Sequence, residues 1–250
     1  MLREKKFSEY ELLMMESVSP HSRYVPKLFP GSSHAWAISR LTHWHAHERI
    51  LDIGVGSGVM GIELKNRGFK HLCGVEIDSE TRARAETLGC YEIVAESVHN
   101  PKVGNGYGHA LLLDVLEHLQ DPVLALRNAA QCLTATGKII FTVPAYPFLF
   151  SDWDERLGHF RRYTASTLQL HAREAGLRVV KLSHWNSFTL PAACVLRVIR
   201  KVFPSPTGTE FPKVSPWVNR TLIQVAEMEK RLSDKLDIPF GLSLVGVLAK

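Results

Sequence analysis

Short apolar runs alternate along the chain with stretches that have helical periodicity. Arg49-Ile-Leu-Asp-Ile, for example, is followed by glycines and then by a segment with helical spacing. The pattern predicts strands over residues 49–54, 71–78, 90–96, 109–116, 138–145, 177–185 and 243–249. Because strands that alternate with helices form parallel sheets covered on both faces, we expect an α/β fold with a doubly wound, seven-stranded sheet.

Capping residues mark several helix boundaries. Ser79 and Thr164 are candidate N-caps, and Asp121-Pro122 predicts a helix that runs to Gly137. We expect a single domain over residues 1–250. Its predicted parts are an N-terminal helical cover (1–48, with a short helix over EYELLMMESV), a cofactor-binding core (49–187), a helical lid insertion (188–240) and the last strand (241–250).

Composition restricts the class of protein. With 250 residues, 45% of them hydrophobic and 22% charged, the chain resembles an ordinary globular domain. Its four cysteines stand apart from one another, which indicates a reducing compartment. The N-terminus has no apolar core typical of a signal peptide, and the apolar run 188–196 is too short to cross a bilayer. These features predict a cytoplasmic protein.

The net charge of +5 is unevenly distributed along the chain. The segment from Arg161 to Lys213 contains nine Lys or Arg residues and only two acidic residues. Such a segment suits an acidic substrate, a membrane surface, a nucleic acid or simply a solvated face.

The glycine-rich loop after the first strand carries the clearest chemical signal. Gly54, Gly56 and Gly58 permit positive φ, and the following helix N-terminus favours a carboxylate or phosphate. Glu76, at the end of the second strand, can accept hydrogen bonds from two ribose hydroxyls. The same loop also satisfies G-x-G-x-x-G through Gly61, so a nicotinamide dinucleotide remains an alternative ligand.

Four segments together resemble the class I S-adenosylmethionine-dependent methyltransferases. ILDIGVGSG looks like their first motif, GVEID like the second, HALLLDVLEHLQDP like the fourth-strand motif, and LTATGKIIFTVP like the region that follows it. The resemblance covers about residues 20–187 and is strongest to small-molecule enzymes of the quinone-biosynthesis type. It implies a Rossmann-like sheet with an antiparallel last strand, and S-adenosylmethionine as the methyl donor.

The resemblance also assigns cofactor roles to residues of this chain. Gly54, Gly56 and Gly58 would surround the methionine part of the cofactor, and Asp52 would order their loop and face its amine. Glu76 would hold the ribose, and Ile77 and Glu96 would contact the adenine. Asp114 and Leu116 would line the methyl-donor side.

Two clusters are candidates for the methyl-transfer chemistry. His118, after the fourth strand, could take a proton from the acceptor, and so could His159, after the fifth. Arg161 or Arg162 could bind an anionic group, and Tyr163 could line the pocket. Both clusters could instead be purely structural.

No metal site is predicted from the sequence. Alternating His43, His45 and His47 could bind zinc on a strand, but no acid or cysteine lies at ligand spacing, so a helix end or exposed loop is favoured.

The segment 192–203 has an apolar and a cationic face, which fits a lid over the active site or a membrane-surface helix; the short apolar face favours the lid. We therefore expect methyl transfer to a small acceptor of lipophilic or anionic character. The alternatives are an RNA methyltransferase, an NAD(P)-dependent oxidoreductase and a cofactor-binding protein without turnover.

Overall fold

The computed structural model describes residues 32–41, 47–202 and 216–250. The helix predicted over EYELLMMESV lies outside these ranges, as do His43 and His45. The strands are β1 (Arg49–Ile53), β2 (His71–Val75), β3 (Ile93–Ala95), β4 (Tyr107–Leu113), β5 (Leu133–Pro144), β6 (Arg178–Trp185) and β7 (Ser243–Ala249). The helices are α1 (Ser33–Leu41), α2 (Val59–Asn66), α3 (Ser79–Thr87), α4 (Pro122–Cys132), α5 (Asp152–Arg156), α6 (Ala165–Glu174), α7 (Leu190–Val202) and α8 (Pro216–Ser233).

All seven strands form one sheet in the order β3-β2-β1-β4-β5-β7-β6. β7 runs antiparallel to both of its neighbours, and the other pairs are parallel. This confirms the predicted seven-stranded sheet with a reversed last strand. The chain moves outward in one direction from β1 and in the other from β4, so a ligand crevice is expected where the carboxyl ends of β1 and β4 diverge.

The sheet is buried because helices pack on both of its faces. On one face, Trp36 and Ile38 of α1 join Leu64 of α2. On the other face, Leu126 of α4 and Leu168 of α6 pack against the central strands. The central strands therefore read as continuous apolar runs rather than alternating ones. Among the described helices, none is long and apolar enough to cross a membrane.

Local interactions correct several predicted boundaries. Asp78, not Ser79, caps α3, because its Oδ1 accepts the Thr81 N–H at 2.8 Å. Thr164 and Asp121 do cap their helices. The helix after Asp121 ends at Cys132 instead of Gly137, because Leu133 already pairs with Tyr107 across a bulged start of β5. β3 is shorter than predicted, and β4 starts at Tyr107 and ends at Leu113.

Candidate active site

The glycine loop between β1 and α2 is held closely against its surroundings. Gly54, Gly56 and Gly58 have φ values of 81°, 53° and 75°. A Cβ at Gly54 would lie 2.5 Å from Val115, just after β4, so the loop touches the neighbouring strand end. At Gly56 the nearest atom would be 4.0 Å away. The loop is therefore packed at its first glycine and open at its second, where a ligand can approach the backbone.

Glu76 is joined to this loop by its carboxylate. Its Oε2 accepts the Gly56 N–H at 2.9 Å, and its Oε1 accepts the Asp78 N–H at 3.0 Å. Ile77 beside it is 86% exposed, so its apolar side chain is accessible to a ligand. Glu96, after β3, is also exposed and accepts hydrogen bonds from Asn100. The strand ends thus bring these predicted cofactor residues to one edge of the sheet.

Asp52, inside β1, is buried beneath the loop. The Tyr91 hydroxyl donates to its Oδ2 at 2.6 Å. Burial raises the pKa of Asp52 to about 6, and the charge of Glu76 adds to this, whereas Tyr91 and His34 act in the opposite direction. The site therefore contains a carboxyl group whose ionic form gains from a nearby cation.

Asp114 follows β4 and is held from two sides. The Thr142 hydroxyl donates to its Oδ1 at 2.7 Å, and His34 Nε2 lies 3.0 Å from its Oδ2. Burial by itself would raise the pKa of Asp114, but the hydrogen bonds from His34 and Thr142 lower it overall. Helix α1 thereby connects to the predicted methyl-donor side of the site.

A short 3-10 turn over Leu116–His118 follows Asp114. Leu116 is fully buried, so its side chain belongs to the core. Glu117 is 1% exposed, and neither of its carboxylate oxygens has a hydrogen-bond partner among the described residues. Burial, together with the charge of Asp114, raises the pKa of Glu117 well above its usual range.

The loop after β5 is organised around the buried Asp154. His159 Nδ1 lies 3.0 Å from its Oδ1, and Arg162 Nε donates to the same oxygen at 2.8 Å. Arg197 of α7 donates to Oδ2 at 3.0 Å. Burial alone would raise the pKa of Asp154, but the hydrogen bonds from His159 and Arg162 and the charge of Arg197 hold it well below its ordinary range.

The predicted substrate-binding residues lie in or beside this loop. Arg162 is buried and also donates to the Ala145 carbonyl, and the buried Tyr163 hydroxyl donates to the Leu116 carbonyl. Arg161 is half-buried and donates to the Gln120 carbonyl. These contacts are internal, so contact of the three residues with substrate stays a prediction. The rings of His118 and His159, in contrast, meet edge to face with centroids 4.6 Å apart.

Backbone conformation marks the same edge of the sheet. Among the described residues, three other than glycine have positive φ: Asp114, Tyr146 and Asn186, at 54°, 63° and 61°. They come just after β4, β5 and β6, which run in the same direction. Uncommon backbone conformations of this kind concentrate at functional sites.

Several residues of the site had no distinct signal in the sequence. His34, Tyr91 and Arg197 lie far along the chain from the carboxylates that they contact. Asp154 could have been suspected, because Asp154 and His159 stand five residues apart within a segment rich in charged groups.

This strand order, with a glycine loop after β1 and an acid after β2, is typical of S-adenosylmethionine-dependent methyltransferases. Residues 22–182 match the family model described as Methyltransferase domain, so the chain belongs to this family. The glycine loop had two candidate ligands, S-adenosylmethionine and a nicotinamide dinucleotide. Membership of this family favours S-adenosylmethionine.

Individual relatives are more distant. A ubiquinone biosynthesis O-methyltransferase from Aeromonas salmonicida is 28% identical over 102 residues, which span 38% of this chain and 42% of the relative. A structure of the Haloferax volcanii Trm112 methyltransferase activator with a methyltransferase gives a TM-score of 0.58 at 18% identity, with 87% of both chains covered. The Haemonchus contortus phosphoethanolamine N-methyltransferase 2, in complex with S-adenosyl-L-methionine, gives 0.57 at 14% identity, with 87% of this chain and 52% of that chain covered. These structural similarities support the fold.

Proposed function

We propose that the protein transfers the methyl group of S-adenosylmethionine to a hydroxyl group of a small molecule. The observation that carries this proposal is the attachment of α7 to the segment that follows β5. Arg197 donates to Asp154, to Ser151 Oγ at 2.9 Å and to the Leu149 carbonyl. The helix is thereby fixed to the loop that carries His159, which suits a covered pocket for a small acceptor.

The position of the predicted cofactor residues along one edge of the sheet supports their proposed roles. We assign the backbone around Gly54, Gly56 and Gly58 to the methionine part of S-adenosylmethionine, and Asp52 to its ammonium group. Glu76 and Ile77 would hold the ribose and the adenine, with Glu96 near the adenine amino group. Asp114 and the turn at Leu116 would form the donor side.

An acceptor hydroxyl has to lose its proton as its oxygen attacks the methyl carbon. The oxygen–carbon bond forms while the carbon–sulfur bond breaks, and the electron pair stays on the sulfur of S-adenosylhomocysteine. We assign His118 and His159 to the acceptor, with one of the two imidazoles taking the hydroxyl proton, because their rings lie together beside the turn after β4. The hydroxyl acceptor is also supported by the relative whose name specifies O-methylation in ubiquinone biosynthesis.

An RNA acceptor is the main alternative, suggested by the basic segment between Arg161 and Lys213. The structure uses several of these cations internally. Arg162 and Arg197 bind Asp154, Arg161 binds a carbonyl, and Lys181 pairs with Asp237 at 3.1 Å. Cations engaged in this way contribute less to a phosphate-binding surface, which favours the small acceptor.

The same contacts bear on the choice between a lid and a membrane-surface helix. Val195 and Leu196 of α7 are 58% and 43% exposed, but Arg197 is turned toward Asp154. We therefore propose that residues 188–240 act as a lid over the acceptor.

The proposal can be tested by following the label from S-[methyl-³H]adenosylmethionine. The purified protein is incubated with a small-molecule extract and, separately, with total RNA, and each product is fractionated. We expect label in the small-molecule fraction and S-adenosylhomocysteine as coproduct. Label in RNA would overturn the choice of acceptor, and absence of S-adenosylhomocysteine binding by calorimetry would overturn the proposed function itself.

A further inference from the structure

Glu117, His118 and His159 bring one carboxylate and two imidazoles together beside the end of β4. One ligand atom of each residue lies within 4.8 Å of the ligand atoms of the other two. The first two residues share the turn after β4, whereas His159 belongs to the loop after β5. A hydrogen bond from the Phe160 N–H to the Glu117 carbonyl, at 2.8 Å, holds the two segments together.

The carboxylate of Glu117 is buried in this cluster without a hydrogen-bond partner among the described residues. It is 1% exposed and lacks hydrogen-bond partners among the described residues at both oxygens. A buried carboxylate without hydrogen bonds is strongly destabilising, so such groups normally have a partner. A cation between Glu117 and the two histidines would provide one.

Asp154 holds the ring of His159 through one of its two nitrogens. The contact between His159 Nδ1 and Asp154 Oδ1, at 3.0 Å, favours a proton on Nδ1 and leaves Nε2 with a lone pair. A histidine that ligates a metal commonly donates its other N–H to a carboxylate in this way, which fixes the ring and its tautomer. Asp154 is fully buried and is itself held by Arg162.

We propose that Glu117, His118 and His159 bind a divalent transition-metal ion. Two imidazole nitrogens and one carboxylate oxygen form a known ligand set for such ions, and they leave coordination positions open for another molecule. This proposal departs from the sequence-based prediction of no metal site, which considered only the clustered histidines before β1.

The ligand atoms have to close only slightly around an ion. Metal–ligand bonds of about 2.1 Å in a tetrahedral site place ligand atoms roughly 3.4 Å apart. The separations within 4.8 Å therefore require side-chain adjustments of about 1 Å.

The ion would also refine the acceptor chemistry, a step that rests on the proposed function. An acceptor hydroxyl bound at an open position becomes more acidic, because the cation stabilises the oxyanion. Its O–H proton leaves to water, and the oxygen then attacks the methyl carbon as the carbon–sulfur bond breaks. His118 and His159 would in that case act through the ion instead of as bases.

Metal binding can be measured without any acceptor. The chelator-treated 250-residue protein is titrated with Co²⁺ and with Zn²⁺, by visible absorption and by calorimetry. We expect one ion per chain and visible Co²⁺ absorption bands whose intensity indicates four- or five-coordination in place of the hexaaqua ion. The affinity should fall at least tenfold in Glu117→Gln and in His159→Ala, since each removes one ligand.

His71→Ala is the matched control, because His71 and Glu92 form an exposed pair at 2.7 Å that resembles part of the cluster but lies at the surface. Its metal affinity should equal that of the wild type. No stoichiometric binding by the wild type, or binding unchanged in both cluster variants, would overturn the site. Circular dichroism verifies folding, and a parallel titration with S-adenosylhomocysteine shows separately whether the proposed function fails.

Discussion

Four acidic side chains along the carboxyl edge of the sheet differ in how their charge is compensated. The side chain of Asp154 is contacted by two arginines and a histidine, that of Asp114 by a histidine and a threonine, and that of Asp52 by one tyrosine. Glu117 has no hydrogen-bond partner among the described residues. The two acids with the weakest compensation, Asp52 and Glu117, have raised pKa values, and each lies where a cationic ligand is proposed.

Asp52→Asn is expected to change how stability depends on pH. Because folding raises the pKa of Asp52 from 3.8 to about 6, the folded protein holds this proton more tightly than the unfolded chain. The resulting stabilisation is fully present below pH 3.8 and is lost as the pH rises through about 6. Relative to the variant, the wild type should lose up to about 3 kcal/mol of unfolding free energy between pH 4 and pH 7.

Urea unfolding of the ligand-free protein at several pH values measures this difference. Asparagine can still accept the Tyr91 hydrogen bond. The titratable groups that act on Asp52, namely His34 and Glu76, are the same in both proteins. Glu86→Gln, at an exposed position of α3, is the control and should follow the wild-type profile. Parallel profiles for wild type and Asp52→Asn would contradict the prediction.

Glu76→Ala should weaken the binding of S-adenosylhomocysteine about a hundredfold. In the proposed binding mode the variant would lose two charge-assisted hydrogen bonds to the ribose, which together contribute on the order of 3 kcal/mol. It also frees the Gly56 N–H that Glu76 now holds. Calorimetry measures the change against Glu86→Ala, which should bind normally, and an affinity within threefold of the wild type would show that Glu76 does not hold the ribose.

Among the elements, α2 depends on the absence of a side chain at Gly61. A Cβ there would lie 2.5 Å from the ring of Tyr91, whose hydroxyl reaches Asp52. The G-x-G-x-x-G pattern therefore has a packing explanation at its last glycine. That glycine lets α2 approach the segment before β3 and keeps Tyr91 in place.

Gly61→Ala is expected to destabilise the protein by about 1–3 kcal/mol, because overpacking displaces Tyr91. An exposed helical glycine would give the opposite sign, with alanine stabilising by roughly 1 kcal/mol. Lys65→Ala, at an exposed position of the same helix, should stay within about 0.5 kcal/mol of the wild type. Thermal and urea unfolding of the three proteins measure the difference, and a more stable Gly61→Ala would refute the packing argument.

Periodicity and capping residues were enough to predict the order of the elements, because strands buried on both faces and Asp or Thr caps are local signals. The start of β5 was missed because its bulged pairing of Leu133 with Tyr107 is set by a distant strand. The same limit applies to the site. The glycine loop and Glu76 lie close in sequence to their strands, whereas His34 and Arg197 reach the site only through the fold.

At the scale of the whole molecule, segments from both ends of the described chain meet over the sheet. Trp36 Nε1 of α1 donates to Ser233 Oγ of α8 at 3.2 Å, and Arg40 pairs with Asp234. The Ser187 N–H donates to Glu229 at 2.9 Å. Helix α8 is therefore joined to α1 and to the end of β6. Helix α7 is joined to the loop after β5 by Arg197, whose side chain makes all the polar contacts described between the two.

Arg197→Ala should consequently loosen α7 while leaving the cofactor site intact. Asp154 keeps Arg162 and His159, so the loop after β5 stays formed, but α7 loses an anchor that contributes about 2 kcal/mol. Amide hydrogen exchange in the first turns of α7 should accelerate by roughly 30-fold, with α4 unchanged. S-adenosylhomocysteine affinity should stay within twofold of the wild type, whereas turnover of the acceptor should fall.

Arg178→Ala, at the exposed start of β6, is the control for loss of a cation. Unchanged exchange in α7 would mean that apolar packing, not Arg197, holds this helix, and the Arg197 contacts would then not support a covered acceptor pocket.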